Sequence, residues 1–307
     1  MKTFSLVSII LLVFCAIFGV VSCKSPPPPP PPVPAAAPPP PPSSPPPEPE
    51  VKPEAAAPDT TGPELAVEFS TKMFSPDGDG VDDELVVTIK AIDESPIANW
   101  HIEILDPGDY EPLPIFAEWS GDGNPPPQIK WDGLSPSGEL VQSATDYPFK
   151  LTAADSKGNV SVFEGIIPVD VLVIREANGV LRVRVPSIVF GPNAGDFAGL
   201  DAGTVANNDA ILRRIAQVLN KFSAYKVKVE GHANPTGRTA RERQREQETD
   251  LALSDLRARF VVDYLVKLGV TRSRLTPFGI GSAHPIANIE ERNNWWKNRR
   301  VEFILER

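Results

Sequence analysis

The chain has 307 residues and a formal net charge of −10, and it contains 36 prolines but only two cysteines. Cys15 and Cys23 both lie near the N-terminus, which excludes a disulfide-stapled fold and a cysteine zinc site. The net charge combines two opposite halves. Residues 1–179 carry 9 Lys and Arg against 26 Asp and Glu, whereas residues 180–307 carry 21 against 14. This split predicts two modules with different partners.

The N-terminus carries the pattern of a secretion signal. An apolar run over residues 4–21 follows Lys2, which is typical of a signal peptide, although it also approaches the ~20 residues of a membrane-spanning helix. The tetrapeptide at 20–23, which ends in Cys23, resembles a bacterial lipobox. The resemblance implies a signal peptide at residues 1–22 and acyl chains on Cys23 that anchor the protein in a membrane.

The residues after the cysteine predict a location and a spacer. In Gram-negative lipoproteins a residue other than Asp at this point implies the outer membrane, and here it is Lys24, so anchoring there with the protein facing the periplasm is expected. Residues 23–63 hold 20 of the 36 prolines. Proline has no amide hydrogen and a fixed φ, which predicts a polyproline II spacer. A ligand for proline-recognition domains is the alternative.

Residues 64–170 are expected to form an all-β module. Short runs of strand-forming residues recur between clusters of turn residues, without helical periodicity between them. The expected strands are Leu65–Phe69, Leu85–Ala91, Trp100–Leu105, Phe149–Ala153 and Val160–Pro168. Such spacing is typical of an antiparallel β-sandwich.

Two parts of this module resemble immunoglobulin-like domains of bacterial envelope proteins. The segment 74–83 is similar to the FSPNGDGVND opening of those domains. The segments 131–138 and 147–152 are similar to a hairpin of FlgD-type immunoglobulin-like domains. The resemblance implies an immunoglobulin-like sandwich without catalytic activity. Its acidic composition suggests envelope proteins as further partners.

The acidic loop at 75–83 has two interpretations. Asp77, Asp79 and Asp83 fall at positions 3, 5 and 9 of a calcium-loop pattern, with Gly80 at the turn position. This spacing predicts a calcium site, and calcium is the only cofactor that the sequence suggests. Alternatively, the Asp and Gly residues satisfy the backbone groups of a local turn, since no carboxylate occupies position 12 of the pattern.

Residues 180–307 show a different periodicity. Apolar residues at helical spacing predict helices at Asn208–Phe222 and Leu251–Leu268, and Gly269 is suited to end the second. Alternating segments predict strands at Val180–Phe190, Tyr225–Gly231, Leu275–Gly279 and Arg300–Leu305. This order predicts an α+β fold, a βαβαβ-type mixed sheet with helices on one face.

Five motifs of this module resemble, in order, those of OmpA-like, peptidoglycan-associated domains. The segment 229–234 is similar to their VEGHTD strand end, and 253–265 matches LSxxRAxxVxxxL. Later landmarks follow at 269–281, Pro285 and 298–302. The resemblance implies non-covalent binding of peptidoglycan through the diaminopimelate, or another diamino acid, of its stem peptide.

The same resemblance implies four site residues. Arg257 occupies the position whose guanidinium pairs with a ligand carboxylate, and Arg299 lies in the last matching motif. Asn234 stands where the family has an aspartate that contacts the ligand's ammonium. An amide cannot neutralise that charge, which predicts a roughly tenfold loss of affinity. Asp250 stands where the family's helix start usually has asparagine.

Three further features of this module have more than one interpretation. The charged run 238–248 is either a solvated helical extension or a rim of the binding groove, with Glu242 or Glu246 as a substitute carboxylate. The adjacent tryptophans at 295–296 either pack in the core and at an interface or stack on sugar rings. His232 is expected to pack at a strand end, with no carboxylate clustered near it.

Taken together, these features favour a lipoprotein that tethers the outer membrane to the cell wall. The alternative is a protein-interaction scaffold whose OmpA-like domain has lost peptidoglycan binding, and Asn234 favours it. An enzyme is not expected, because the sequence contains no recognisable nucleophile–base pair or paired acidic site. Secretion argues against nucleic acid as the partner of the basic half.

Overall fold

The computed structural model describes residues 58–307. The predicted signal peptide, the predicted lipidation site at Cys23 and most of the proline-rich spacer therefore lie outside the described residues. Residues Ala57–Arg307 form one compact unit, and two hydrophobic clusters lie within it. Among residues 58–307, no helix combines the length and the hydropathy needed to cross a membrane.

The N-terminal part of the described chain is rich in β-strands. They are β1 Glu64–Phe69, β2 Leu85–Ile92, β3 Ile97–Leu105, β4 Ile115–Asp122, β5 Gln128–Trp131, β6 Asp146–Asp155 and β7 Val160–Pro168. One sheet has the order β1-β2-β5 and the other β4-β3-β6-β7. All neighbouring strands in these two sheets are antiparallel.

Both sheets contribute side chains to one hydrophobic cluster. Val87 and Ile89 from β2 share it with Ile102 from β3 and Leu151 from β6. In β2 and β6 burial alternates along the strand, as expected when one face packs in a core. The five predicted strands of this part are confirmed. Strands β4 and β5 were not predicted, since prolines lie shortly before each of them.

The C-terminal part combines a mixed sheet with helices. Its elements are β8 Ile174–Arg175, β9 Leu181–Val185, α1 Ala202–Lys221, β10 Lys226–His232, α2 Ala240–Lys267, β11 Leu275–Gly281, α3 Trp295–Asn298 and β12 Val301–Glu306. Short 3-10 helices lie at Arg272–Arg274 and Arg292–Asn294. The strand order is β11-β10-β12-β9-β8, with β10 and β11 parallel and all other neighbours antiparallel. The predicted mixed sheet is confirmed.

Helices α1 and α2 pack against one face of this sheet. Leu212 of α1 and Val261 of α2 share a hydrophobic cluster with Val183 of β9. On β9, Arg182 and Arg184 alternate with the buried apolar residues and lie on the opposite, charged face. The predicted placement of the helices on one face is therefore confirmed.

Helix α2 begins 11 positions before the predicted start at Leu251. Thr239 and Glu242 form a capping box, in which each side chain accepts a hydrogen bond from the other residue's backbone amide. The charged run at 238–248 is therefore largely helical, as the first of its two interpretations requires. Helix α1 likewise begins earlier than predicted.

Strand β9 is shorter than the predicted strand at Val180–Phe190, because it ends at Val185. Pro186 follows, and a proline has no amide hydrogen to donate to a neighbouring strand. The chain then forms a loop that leads to α1, and this loop contacts the candidate site described next.

Candidate functional site

Arg257 lies on α2 and is half-buried. Its Nε donates a hydrogen bond to the Ala194 carbonyl at 3.1 Å, and Nη2 donates to the Gly191 carbonyl at 3.4 Å. The guanidinium also lies over the Phe190 ring, 5.0 Å from its centroid. Burial lowers the pKa of Arg257 and the charge of Arg299 lowers it further, but a guanidinium stays protonated in proteins. Because both carbonyls belong to the loop before α1, this loop fixes the orientation of the Arg257 guanidinium.

A close contact between α2 and the sheet determines where Arg257 lies. A Cβ atom on Gly231 of β10 would be 2.2 Å from the Ser254 carbonyl oxygen, so any other residue would push the helix away. The Ser254 hydroxyl accepts a hydrogen bond from the Gly281 amide at 2.8 Å, at the end of β11. Ser254 lies one helical turn before Arg257, so both contacts position the guanidinium.

Asn234 lies two residues after the end of β10 and is 9% exposed. Its Oδ1 accepts a hydrogen bond from Asn298 Nδ2 at 2.8 Å, and its Nδ2 donates to the Pro235 carbonyl at 3.0 Å. Asn298 Oδ1 accepts from the amides of Ile286 and Ala287. These contacts connect the end of β10 to the segment before β12. Asn234 thus holds the local backbone and has no charge to offer an ammonium group.

The four predicted site residues are connected through charge effects at Arg257 and through Asn298. The charge of Arg299 lowers the pKa of Arg257, whereas the charge of Asp250 raises it. Asn298, which is bonded to Asn234, directly precedes Arg299 in the chain. We call the set Asn234, Asp250, Arg257 and Arg299 the candidate site. It contains two cations, one carboxylate and one amide.

A carboxylate from the N-terminal part also reaches the candidate site. Arg299 Nη2 donates a hydrogen bond to Oδ2 of Asp109, which lies in the loop between β3 and β4. Both side chains keep substantial exposure, 40% for Arg299 and 44% for Asp109. The two residues are 190 positions apart, so no local sequence pattern predicts this pair.

Lys297 joins the same two parts of the chain through a buried ion pair. Its Nζ lies 2.5 Å from Asp106 Oδ2 and 2.8 Å from Glu139 Oε1, and the residue is 3% exposed. Burial raises the pKa of Asp106 to about 6, even though the charge of Lys297 partly offsets it. Sequence reasoning missed this pair as well. It holds the loop that carries Asp109 against the C-terminal part.

Glu242 and Glu246, the two possible substitute carboxylates, accept hydrogen bonds from backbone amides just before α2. Glu242 caps the helix by accepting a hydrogen bond from the Thr239 amide at 2.8 Å. Glu246 accepts from the amides of Thr236 and Gly237 at 3.1 and 2.7 Å. These bonds favour the interpretation of the charged run as a helical extension over that of a groove rim.

The prediction that no carboxylate clusters near His232 is wrong. Glu230 lies opposite Glu302 in the pairing of β10 with β12, and an oxygen of each lies within 4.8 Å of a ring nitrogen of His232. Three guanidinium groups bond Glu302, those of Arg182, Arg184 and Arg300. Burial alone would raise the pKa of Glu302, but these charges outweigh it and lower the pKa to about 2. The surrounding cations oppose a metal ion at this cluster.

His232 itself is buried, as expected of a packing residue, with an exposure of 4%. Its Nε2 lies 3.5 Å from Glu230 Oε2, which is too long for a good hydrogen bond. Neither ring nitrogen has a hydrogen-bond partner within residues 58–307. Burial lowers the pKa of His232, so the ring is neutral at pH 7.

The three carboxylates of the acidic loop lie close together, with one oxygen of each within 4.8 Å of the others. Asp83 accepts hydrogen bonds from the amides of Gly78 and Gly80, both at 2.7 Å, and Asp77 accepts from the Asp79 amide. Burial raises the pKa of Asp77, and the charges of Asp79 and Asp83 add to this effect. The oxygen donors suit calcium, while the amide bonds match the alternative of a self-satisfied turn.

The adjacent tryptophans pack inside the protein. Trp295 Nε1 donates a hydrogen bond to the Ile289 carbonyl at 2.9 Å, and Arg292 covers its ring at 5.5 Å. Trp296 is 9% exposed and lies beside Lys297, whose Nζ is 5.6 Å from the ring centroid. These contacts favour the packing interpretation over stacking on sugar rings.

Residues 203–299 match the OmpA family model, so this part of the chain is an OmpA-like domain. A peptidoglycan-associated lipoprotein of Mesorhizobium japonicum is 36% identical over 119 residues, which are 38% of this chain and 66% of the relative. Peptidoglycan-binding protein ArfA of Mycobacterium tuberculosis is 30% identical over 125 residues, 41% of this chain and 35% of the relative. A crystal structure of a putative MotB-like protein from Desulfovibrio vulgaris is 28% identical and aligns with a TM-score of 0.35, covering 43% of this chain and 76% of that chain.

The chain spans just under two thirds of the length of the Mesorhizobium relative. The names of these relatives describe association with or binding to peptidoglycan, in line with the expectation that the chain is not an enzyme.

Proposed function

We propose that this protein is an envelope lipoprotein that tethers the outer membrane to the cell wall by binding peptidoglycan stem peptides without a covalent bond. The OmpA family match at 203–299 is the observation that carries the proposal. Two arginines that the family resemblance assigns to the ligand, Arg257 and Arg299, fall within that match. The charge of Arg299 reaches Arg257 and lowers its pKa, as expected of residues that share one ligand.

In the proposed complex, the two guanidinium groups bind carboxylates of the stem peptide. A guanidinium can bind a carboxylate through two parallel hydrogen bonds, which gives both energy and orientation. Backbone carbonyls hold Nε and Nη2 of Arg257, so its plane is set before the ligand arrives. Its Nη1 forms no hydrogen bond within residues 58–307 and Nη2 has a second hydrogen, so these two nitrogens can donate to one ligand carboxylate.

The proposal assigns the rest of the chain to anchoring and spacing. Acyl chains on Cys23 hold the protein in the outer membrane, and residues 23–63 are the spacer into the periplasm. Residues 64–170 are an immunoglobulin-like sandwich, which is supported by two antiparallel sheets that share one hydrophobic cluster. Residues 180–307 are the peptidoglycan-binding domain.

Co-sedimentation of the detergent-solubilised full chain with purified sacculi tests peptidoglycan binding. Arg257→Ala should abolish sedimentation, and Asn234→Asp should strengthen binding about tenfold, because a charged acceptor replaces a neutral one. Arg259→Ala is the matched control, since Arg259 lies on the same helix, is 60% exposed and pairs with Asp255. Sedimentation of Arg257→Ala at the wild-type level would contradict the proposal.

Incorporation of labelled palmitate in cells tests the anchor separately. The wild-type chain should take up the label, and Cys23→Ser should not, because the lipidated thiol is absent. Equal labelling of both chains would argue against Cys23 as the anchor. This result would leave the conclusion about peptidoglycan binding unchanged.

A protein-interaction scaffold is the second candidate function. Asn234 carries no charge and is used in internal hydrogen bonds, which is the observation that favours it. Its partners would be envelope proteins that bind the acidic N-terminal part. In the sacculus experiment, a scaffold would stay in the supernatant as wild type, and Asn234→Asp would restore sedimentation.

A further inference from the structure

The loop between β3 and β4 lies against the segment that leads into β12, next to the candidate site. The buried pair of Lys297 with Asp106 lies at one end of this contact. At the other end, Asn293 Nδ2 donates a hydrogen bond to the Pro112 carbonyl at 3.4 Å. Between them, a Cβ atom on Gly108 would be only 3.0 Å from the Asn293 carbonyl oxygen. The loop is therefore held from both sides.

The C-terminal part alone gives the candidate site an excess of positive charge. Arg257 and Arg299 contribute two cations, Asp250 contributes one carboxylate, and Asn234 is neutral. A ligand that carries an ammonium group would meet a net repulsive charge there. Asp109, which the loop holds beside Arg299, adds a second carboxylate, so the site then has two positive and two negative charges.

We infer that Asp109 belongs to the ligand-binding site and that the pair Asp109–Arg299 recognises the α-amino-carboxylate end of a stem-peptide diamino acid. Such a group carries an ammonium and a carboxylate on the same carbon. An adjacent carboxylate and guanidinium present the complementary charges at similar spacing. Arg299 binds the ligand carboxylate, and Asp109 accepts hydrogen bonds from the ligand ammonium. This inference rests on the proposed function.

The exposure and bonding of the pair suit this role. Each side chain is at least 40% exposed, so a ligand can reach both from solvent. Arg299 bonds only Oδ2 of Asp109, and Oδ1 forms no hydrogen bond within residues 58–307. That oxygen can accept a proton donor while the ion pair stays intact. The carboxylate that residue 234 lacks is thus supplied by the N-terminal part, and the site is complete only when both parts are present.

An alternative role for Asp109 predicts the opposite change in ligand affinity when its charge is removed. If Asp109 merely occupied Arg299 as a mimic of the ligand carboxylate, its removal would free the guanidinium and tighten binding. If it binds the ligand ammonium, its removal weakens binding. The sign of one affinity change therefore separates the two roles.

Titration calorimetry of the full chain in detergent provides the test. The probe is the stem tripeptide L-alanyl-D-glutamyl-meso-diaminopimelate, compared with the same peptide acetylated on its distal amino group. Asp109→Asn should bind the free peptide about tenfold more weakly, because a neutral acceptor replaces a charged one. It should bind the acetylated peptide as the wild type does. Adding Asn234→Asp to Asp109→Asn should recover affinity for the free peptide.

Glu111→Gln is the matched control, because it makes the same charge change in the same loop. Its Oε2 accepts a hydrogen bond from the Leu113 amide, which glutamine can also accept, so its affinity should stay at the wild-type value. Unchanged or tighter binding by Asp109→Asn, with binding still lost in Arg257→Ala, overturns the inference and leaves the proposed function intact. Failure of the wild type to bind peptide and sacculi alike removes both.

Discussion

Replacing Lys297 with methionine removes the buried cation that joins the two parts of the described chain. Methionine keeps an unbranched side chain of similar length, so the change removes a charge with little loss of packing. Nζ lies 2.5 Å from Asp106 and 2.8 Å from Glu139, and the residue is 3% exposed. Removing one partner of a buried ion pair costs about 3–5 kcal/mol. We expect the free energy of unfolding to fall by about 3 kcal/mol at pH 7.

The pKa of Asp106 makes this cost depend on pH. Its folded value is about 6, against 3.8 for the ordinary carboxyl. In the wild type the carboxyl stays charged at pH 7, which lies one unit above its folded pKa. Without Lys297 the carboxyl instead takes up a proton on folding at pH 7. This costs about 1.4 kcal/mol more, since one pKa unit is about 1.36 kcal/mol. At pH 5 the carboxyl is protonated in both folded proteins, and this difference disappears. The destabilisation should therefore be about 1.4 kcal/mol smaller at pH 5.

Urea unfolding at both pH values, followed by tryptophan fluorescence, measures these free energies. Trp296 lies beside Lys297 and reports on the contact. Lys90→Met, at an exposed position on β2, is the control and should change stability by less than about 0.5 kcal/mol. Adding Asp106→Asn should recover at least about 1 kcal/mol, because a neutral amide needs no protonation on folding. A cost below about 0.5 kcal/mol at pH 7, or an equal cost at both pH values, would refute the reasoning.

Other predictions concern the remaining charged groups. The folded pKa of Glu302 is about 2, against an ordinary value of 4.5. Glu302 therefore contributes about 3 kcal/mol of stability above pH 4.5, and this contribution is lost as the pH falls toward 2. Glu302→Gln should remove this pH dependence from a series of thermal unfolding measurements. Asp106 acts in the opposite sense, since its raised pKa increases stability as pH falls from about 6 to 3.8. Millimolar calcium should leave the unfolding temperature unchanged, because backbone amides already donate hydrogen bonds to the carboxylates of the acidic loop. A rise in the unfolding temperature that Asp83→Asn abolishes would instead establish a calcium site. Glu246→Ala should cost about 1 kcal/mol in urea unfolding, because two amides and one hydroxyl lose their acceptor, and an unchanged midpoint would contradict this.

The regular elements could be predicted wherever side-chain periodicity was clear. The apolar stripe of α2 identified its C-terminal half, but the charged run before Leu251 has too few apolar residues to show a stripe. A helix start was nevertheless encoded there by Thr239 and Glu242, three residues apart, which is the spacing of a capping box. Strands β4 and β5 were missed because the nearby prolines look like turn signals.

The candidate site could be predicted only as far as the family motifs extend. They led to the four residues of the candidate site. Asp109 and the Lys297 pair join positions about 190 residues apart, and no local spacing encodes such contacts. The carboxylates near His232 could have been found from strand pairing, because antiparallel β10 and β12 bring Glu230 opposite Glu302.

Release of the sacculus-bound full chain by soluble ligands tests the central claim most directly. The account predicts that the free diaminopimelate tripeptide displaces the chain in a concentration-dependent manner, whereas the glycan disaccharide without its peptide does not. This difference is expected because Arg257 and Arg299 bind the stem peptide and not the glycan. Displacement by the disaccharide, with no effect of the tripeptide, would contradict it.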